Sequence, residues 1–358
     1  MFTPRKRKIH TAQDYIQGIL NGDRTLLARA ITLIESQLPA HQHMAEEMIQ
    51  ALLPYSGQSL RIGISGYPGA GKSTLIETLG LDLLKQGHKL AVLAIDPSSQ
   101  LSHGSILGDK TRMEALTRES GCFIRPTPSG GNLGGVARHT RETILLCEAA
   151  GYDLILIETV GVGQSEVLVR SMVDFFLLVL IPGAGDELQG IKKGVMEMVD
   201  AVLVNKADGE HLPLAKRAAG EYQRALHYLT SATPDWPPPV LLGSALEKQG
   251  LDVLWQVILD FQTQQKQNGH WQKRREAQTL EWFEQALIEN LQQRFFFHPK
   301  IQARLPEIRR TLQTLSLPVS AAVADLLDQF FSGSACSGET GSTDAIGTTV
   351  TSASNSGL

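Results

Sequence analysis

Cysteine is scarce in this chain of 358 residues. Only Cys122, Cys147 and Cys336 occur, far apart and without a C-x-x-C pair, which excludes a disulfide framework and a thiolate metal cage and points to a reducing cytoplasm. Charge of one sign is not in excess either: Lys+Arg number 33 against Asp+Glu 37, a net −4, so no nucleic-acid partner is expected. Long apolar runs are absent. The longest, Phe175 to Ile181, falls far short of the ~20 residues that span a bilayer and reads as a buried strand. Arg5-Lys6-Arg7-Lys8 is followed by polar residues where a signal peptide needs an apolar stretch, so the basic cluster reads as a solvated tail. His41 and His43 are two apart, on different sides of a helix, and read as surface groups rather than metal ligands.

What is present is an ordinary globular composition, 42% hydrophobic, arranged in a pattern. Residues 11 to 53 show helical spacing, with Leu26, Leu27, Ala30, Ile31 and Ile34 on one face and Pro39 and Pro54 as punctuation. From Leu60 to about Phe261, apolar runs at 60–65, 90–95, 153–157, 175–180, 201–204 and 240–242 alternate with helical stretches. Continuous hydrophobicity marks strands covered on both faces, as in a mostly parallel sheet with right-handed crossovers. The expected fold class is a three-layer α/β P-loop NTPase with helical extensions at both ends. Its segments are an N-terminal helical extension (1–54), a nucleotide-binding domain (55–270), a C-terminal helical extension (271–331) broken at Pro299, Pro306 and Pro318, and a tail (332–358). Phe295-Phe296-Phe297 is read as core, or else as an interface anchor. The tail holds 7 Ser, 5 Gly and 5 Thr among 27 residues, with no Lys or Arg, and cannot bury enough surface to fold alone.

Gly66-Tyr67-Pro68-Gly69-Ala70-Gly71-Lys72-Ser73-Thr74 is a complete G-x-x-x-x-G-K-[ST] phosphate loop between an apolar run and a helix-like segment. Its glycines let backbone N–H groups close around phosphate oxygens, Lys72 reaches the β- and γ-phosphates, and the Ser73 hydroxyl ligates Mg²⁺. Asn205-Lys206-Ala207-Asp208 follows the run at 201–204 and matches the guanine motif N-K-x-D. The Asp208 carboxylate can accept from guanine N1–H and the exocyclic amine, a donor pair that adenine lacks, while the Lys206 stem covers the base and Asn205 ties loops together. Ser244-Ala245-Leu246 follows the next run and reads as a second base contact through backbone N–H groups. Glu158-Thr159-Val160-Gly161 stands where many GTPases have D-x-x-G. Glu158 is expected to hold Mg²⁺ through a bound water, and the Gly161 N–H to meet the γ-phosphate. Asp96, ending the run at 90–95, is a further metal candidate. Gly130 to Gly135, before a helix expected from Val136, reads either as an anion cradle or as a flexible turn.

Taken in order, these motifs together with Asp96-Pro97-Ser98-Ser99, Gly108 to Met113, Glu158 to Glu166 and Gly183 to Gly194 resemble the MeaB/ArgK (MMAA-like) family of GTPases. The resemblance covers the chain from the N-terminal helices to about Phe331. It implies a cytoplasmic, usually homodimeric, Mg²⁺-dependent GTPase of the class that includes metal-insertion proteins. It also implies that this GTPase partners adenosylcobalamin-dependent methylmalonyl-CoA mutase, gating cofactor delivery and protecting the enzyme. It places Asp109 in a first switch, among the catalytic and metal-binding groups with Lys72 and Glu158. The same resemblance makes Glu158 to Glu166 a second switch and Gly183 to Gly194 a third.

A glutamine directly after D-x-x-G is missing: Val162 stands there, with Gln164 beyond it. Intrinsic turnover is therefore expected to be slow, rising when a partner brings Gln164, Lys193, Arg138 or Arg141 into place. Two alternatives are a nickel metallochaperone, which would want a His-rich tract, and a kinase, which would need an acceptor pocket and commonly ATP.

Overall fold

The computed structural model describes residues 10–36, 38–96, 113–128, 133–159, 165–183 and 193–334. The chain divides into two compact units, Met1–Ala286 and Leu287–Leu358.

In the first unit, three helices, α1 (Ala12–Leu20), α2 (Arg24–Ile34) and α3 (Pro39–Leu52), precede the sheet. Each starts where the sequence supplies a start signal. Thr11 and Asp14 form a capping box on α1, the Asp23 carboxylate accepts from Thr25 N and Leu26 N on α2, and Pro39 opens α3. The sheet comprises β1 (Leu60–Gly66), β2 (Leu90–Asp96), β3 (Cys122–Pro128), β4 (Leu154–Thr159), β5 (Phe175–Leu180), β6 (Ala201–Val204) and β7 (Val240–Leu242). Their order is β3-β2-β4-β1-β5-β6-β7, and every pair is parallel. Between strands lie α4 (Lys72–Lys85), α5 (Glu114–Arg118), α6 (Leu133–Ala149), α7 (Ser165–Arg170), α8 (Lys193–Glu197) and α9 (Leu212–His227); α10 (Leu251–Gln267) and α11 (His270–Phe296) follow.

Successive strand residues point to opposite faces, which is why unbroken apolar runs are needed. On β4, Ile155 and Ile157 join one buried cluster, together with Ile19, Leu27, Ile31, Met48 and Leu52 of the N-terminal helices. Leu154 and Leu156 join the other, with Leu75 and Leu79 of α4 and Leu254, Ile258 and Phe261 of α10. The helices α1 to α3 thus share a core with one face of the sheet.

Six strands stand where the apolar runs predict them. The seventh, β3, was not expected, because Arg125, Pro126 and Pro128 spoil its pattern. Proline lacks the N–H that an inner strand must donate on both sides, and β3 lies at the sheet edge beside β2 alone. A second difference concerns the glycine loop: α6 begins at Leu133, so Gly134 and Gly135 are helical, while Gly130 to Asn132 lie outside the described residues.

In the second unit, α12 (Pro299–Gln313) and α13 (Val319–Ser334) pack Ile301, Ile308, Ala322 and Leu326 into a small core. Pro299 and Pro318 border helices as expected, but Pro306 lies inside α12 rather than ending it. Buried Ile301 and Ile308 anchor the helix on either side and offset one lost hydrogen bond. The triple Phe divides: Phe295 packs against that core, whereas Phe296 and Phe297 are exposed. Residues 335–358 lie outside the described ones.

Candidate functional site

The phosphate loop joins β1 to α4 at the carboxyl end of the sheet's central strand, where open parallel sheets bind ligands. Two of its glycines are dictated by space as well as by conformation. Gly66 has φ 148° and Gly71 φ 88°. A Cβ at Gly66 would collide with the Val179 carbonyl of β5, and one at Gly71 with Asn205 Nδ2. Gly71 caps α4, so the helix's unsatisfied N–H groups and its positive end face the loop, ready for an anion.

Lys72 is buried, its Nζ donating to Gly66 O at 2.7 Å and Tyr67 O at 3.1 Å. The ammonium is thereby curled back against its own loop, an arrangement that a phosphate would compete with and redirect. Ser73 Oγ donates to Glu158 Oε1 at 2.9 Å, and Glu158 is itself buried. A hydroxyl and a carboxylate oxygen thus meet at the helix start, the oxygen donor set suited to a hard divalent cation that takes its other ligands from phosphate and water. Beside them the Thr159 hydroxyl donates to Ser65 Oγ at 2.9 Å, joining the ends of β4 and β1. Asp96 ends β2, whose Ala94 and Ile95 register with Glu158 and Thr159 on β4, so its backbone lies at the same end of the sheet. Asp109, Gly161 and Gln164 lie outside the described residues. Among those described, no group of three His, Cys, Asp or Glu side chains is placed to hold a metal ion by itself.

At the end of β6 the loop that carries the N-K-x-D motif is tied to the phosphate loop. Asn205 is buried; its Nδ2 donates to Ala70 O at 2.8 Å and its Oδ1 accepts from Ala245 N at 3.0 Å. One side chain therefore fixes three segments. The Ser244 N–H goes to Gln249 O at 3.0 Å. Two of the backbone donors expected to face a base are thus engaged within the protein, and Leu246 is exposed. Lys206 holds a left-handed φ of 58° and is exposed. Asp208 is half-buried and makes no capping bond to the 3₁₀ turn it precedes, so its carboxylate is not consumed by helix capping.

The arginines considered as water-positioning groups are spent elsewhere. Arg138 Nε donates to Glu142 Oε1 at 3.0 Å. Arg141 donates to Gln278 O at 3.1 Å and Ser171 Oγ at 2.8 Å, lies 5.7 Å from the Trp282 ring centroid, and is pulled down to about 10 by burial. It joins α6, the end of α7 and α11, and touches none of the phosphate-loop residues in these bonds.

Sequence reasoning missed the polar groups at the opposite, amino end of the strands. Asp174 accepts from Arg61 N at 2.9 Å and from Arg275 Nε and Nη2 at 2.8 and 2.6 Å. Glu148 takes Arg61 Nε at 2.9 Å and Ser59 Oγ at 2.5 Å. Asp200 takes Arg170 Nη1 at 2.6 Å, Phe176 N at 2.8 Å, and the Thr233 hydroxyl; burial pushes its carboxyl up to about 6 against the pull of Arg170. The partners lie tens of residues apart, and no local motif announces them.

A phosphate loop opening a helix on a parallel sheet, with an acid beside its serine and an N-K-x-D loop tied across it, defines a P-loop nucleoside triphosphatase of the GTPase kind. The model of the methylmalonyl-CoA mutase-associated GTPase MeaB family matches residues 27–300, and the chain belongs to that family. It is 52% identical over 312 residues to a putative GTPase of Caulobacter vibrioides, covering 87% of this chain and 95% of that one. It is 44% identical to the mitochondrial methylmalonic aciduria type A homolog of Mus musculus, covering 88% and 78%. The solved structure of a LAO/AO transport system kinase matches with TM-score 0.71 and 37% identity, over 90% of this chain and 99% of that one. The chain is a GTPase, and a divalent metal accompanies the nucleotide in such enzymes. No helix among the described residues is long and apolar enough to cross a membrane.

Proposed function

We propose that the protein is a Mg²⁺-dependent, GTP-timed chaperone of an adenosylcobalamin-dependent methylmalonyl-CoA mutase, gating cofactor loading and protecting the enzyme. The observation that carries the reading is the Ser73–Glu158 contact at the start of α4, in a chain whose family is described by association with that mutase. When bound there, Mg²⁺ would neutralise charge on the β- and γ-phosphates. Ser73 and Glu158 hold it, with Asp96 and Asp109 from neighbouring segments. Lys72 leaves its carbonyl partners for phosphate oxygens, and the glycines of the loop present N–H groups to the rest. Asp208 selects guanine, Lys206 covers the base, and Asn205 keeps base loop and phosphate loop in register.

The second switch, Glu158 to Glu166, runs into the start of α7, so movement there reaches that helix, whose last residue Arg170 is bonded to Asp200. Order and disorder of such segments, driven by the γ-phosphate, are how GTPases signal. A homodimer is proposed through the C-terminal helices, supported by the exposed Leu287, Ile288 and Leu291 of α11 in the second unit. Buried free thiols at Cys122 and Cys147, the first pushed up to about 12 by burial, suit a cytoplasmic site.

The test is co-purification with methylmalonyl-CoA mutase in GDP and in a non-hydrolysable GTP analogue, with GTP turnover measured with and without the mutase. Nucleotide-dependent complex formation and faster turnover on mixing are expected. Binding indifferent to both nucleotide and mutase would refute the chaperone reading.

A further inference from the structure

A cleft of about 530 Å³ opens at the β3 edge of the sheet, between that strand and α2. Its size is that of a small-molecule site. On α2, Arg24, Ala28 and Thr32 follow at i, i+4 and i+8 with Thr25 and Arg29 beside them, so these side chains share one helix face and all line the cleft. From the strand come Phe123 and Ile124, which are buried, and Arg125. Three arginines therefore line a cleft with an apolar floor.

Their charges are poorly matched. Arg125 meets Glu35 at 2.5 Å. Arg24 donates to a neutral carbonyl, Glu119 O, at 3.1 Å, and Arg29 meets only an imidazole nitrogen, His10 Nε2, at 3.0 Å. Among the described residues no carboxylate forms an ion pair with either. Two polar atoms of the cluster are also buried without a partner: Arg125 Nε, a donor, and Glu35 Oε1, an acceptor. Buried polar groups are ordinarily satisfied, so the Arg125–Glu35 pair leaves one donor and one acceptor unmet at the Arg125 side of the cleft.

We propose that this cleft binds a phosphate ester of nucleoside size, at a site separate from the phosphate loop. Arginine forks match phosphate oxygens in bidentate fashion, and the Thr25 hydroxyl adds a neutral donor. Phe123 and Ile124 cover the apolar face of the ester's organic part. Strands β2 and β4 stand between β3 and β1, which at ~4.8 Å per strand separates the two sites by about 14 Å. One molecule can therefore fill each.

The experiment is calorimetric titration of the full chain, saturated with GDP and Mg²⁺, with AMP and, separately, with inorganic phosphate. AMP is expected to bind one per chain without displacing GDP and more tightly than phosphate. In the double variant Arg24→Gln/Arg29→Gln, AMP affinity should fall at least tenfold while GDP affinity is unchanged. Thr25→Trp, which occludes the cleft from an exposed position and removes no charge, should abolish AMP binding too and serves if the double variant does not fold. Absence of AMP binding, phosphate binding as tightly as AMP, or AMP affinity unchanged by these variants would overturn the proposal.

Discussion

The two ends of the sheet are built on opposite principles. At the carboxyl end the polar side chains are held by hydrogen bonds to backbone groups and to one another that a ligand can replace: Lys72 to two carbonyls of its own loop, Ser73 to Glu158, Asn205 to two backbone groups. At the amino end, Asp174, Asp200 and Glu148 are buried and multiply bonded to arginines drawn from β1, α7 and α11. A site that must accept and release a charged nucleotide needs groups whose partners can be replaced. A platform that must keep the strands and α11 in place needs charges that cannot leave, because separating a buried pair strands an ion in low dielectric. Function and stability are thereby divided between the ends of the same strands.

Substitutions at each end should separate the two. Lys72→Ala is expected to lower GTP turnover by at least about 10²–10³-fold, with the thermal midpoint of the nucleotide-free protein little changed; turnover assays and calorimetry check both. Asp208→Asn should move preference from GTP to xanthosine triphosphate by roughly 10²-fold or more, since a site built around a hydrogen-bonding pair rejects the mismatched base strongly; competition binding reads it, and an unchanged ratio would remove Asp208 from base recognition. Asp174→Ala is expected to cost about 3–5 kcal/mol of stability by leaving Arg275 unpaired, seen in urea unfolding, while GDP affinity of the folded fraction holds.

A further effect is a pH dependence. With Asp200 at about 6 in the folded chain against 3.8 ordinarily, the native state holds more protons than the unfolded one between those values. Its contribution makes stability fall as pH rises from about 4 to 6 and stay flat above that. Comparing unfolding free energies of the wild type and Asp200→Asn across this range should show the variant without that downward component.

Legibility in the sequence follows the same division. The phosphate-loop and N-K-x-D motifs were legible because phosphate binding needs glycine, lysine and serine at set spacing within nine consecutive residues, Gly66 to Thr74, and because Asn205 and Asp208 come directly after an apolar run that forms a strand. The inner strands were readable because burial on both faces demands unbroken apolar runs. β3 was not, since an edge strand is free to carry Arg125, Pro126 and Pro128. Nor was the continuity of α12 through Pro306, which depends on burial of Ile301 and Ile308.

Composition and spacing alone determined the fold class, the phosphate loop, the acid at Glu158 and the guanine motif, because each rests on local geometry that a short stretch of chain can encode. Only the tertiary structure decided which atoms Asn205 bonds, that Arg141 is committed to α7 and α11, that Asp174 and Asp200 anchor the far end, and that Arg24, Arg29 and Arg125 line one cleft. Those pairings join residues far apart in the chain, and their energies exist only once folding has removed the water between them.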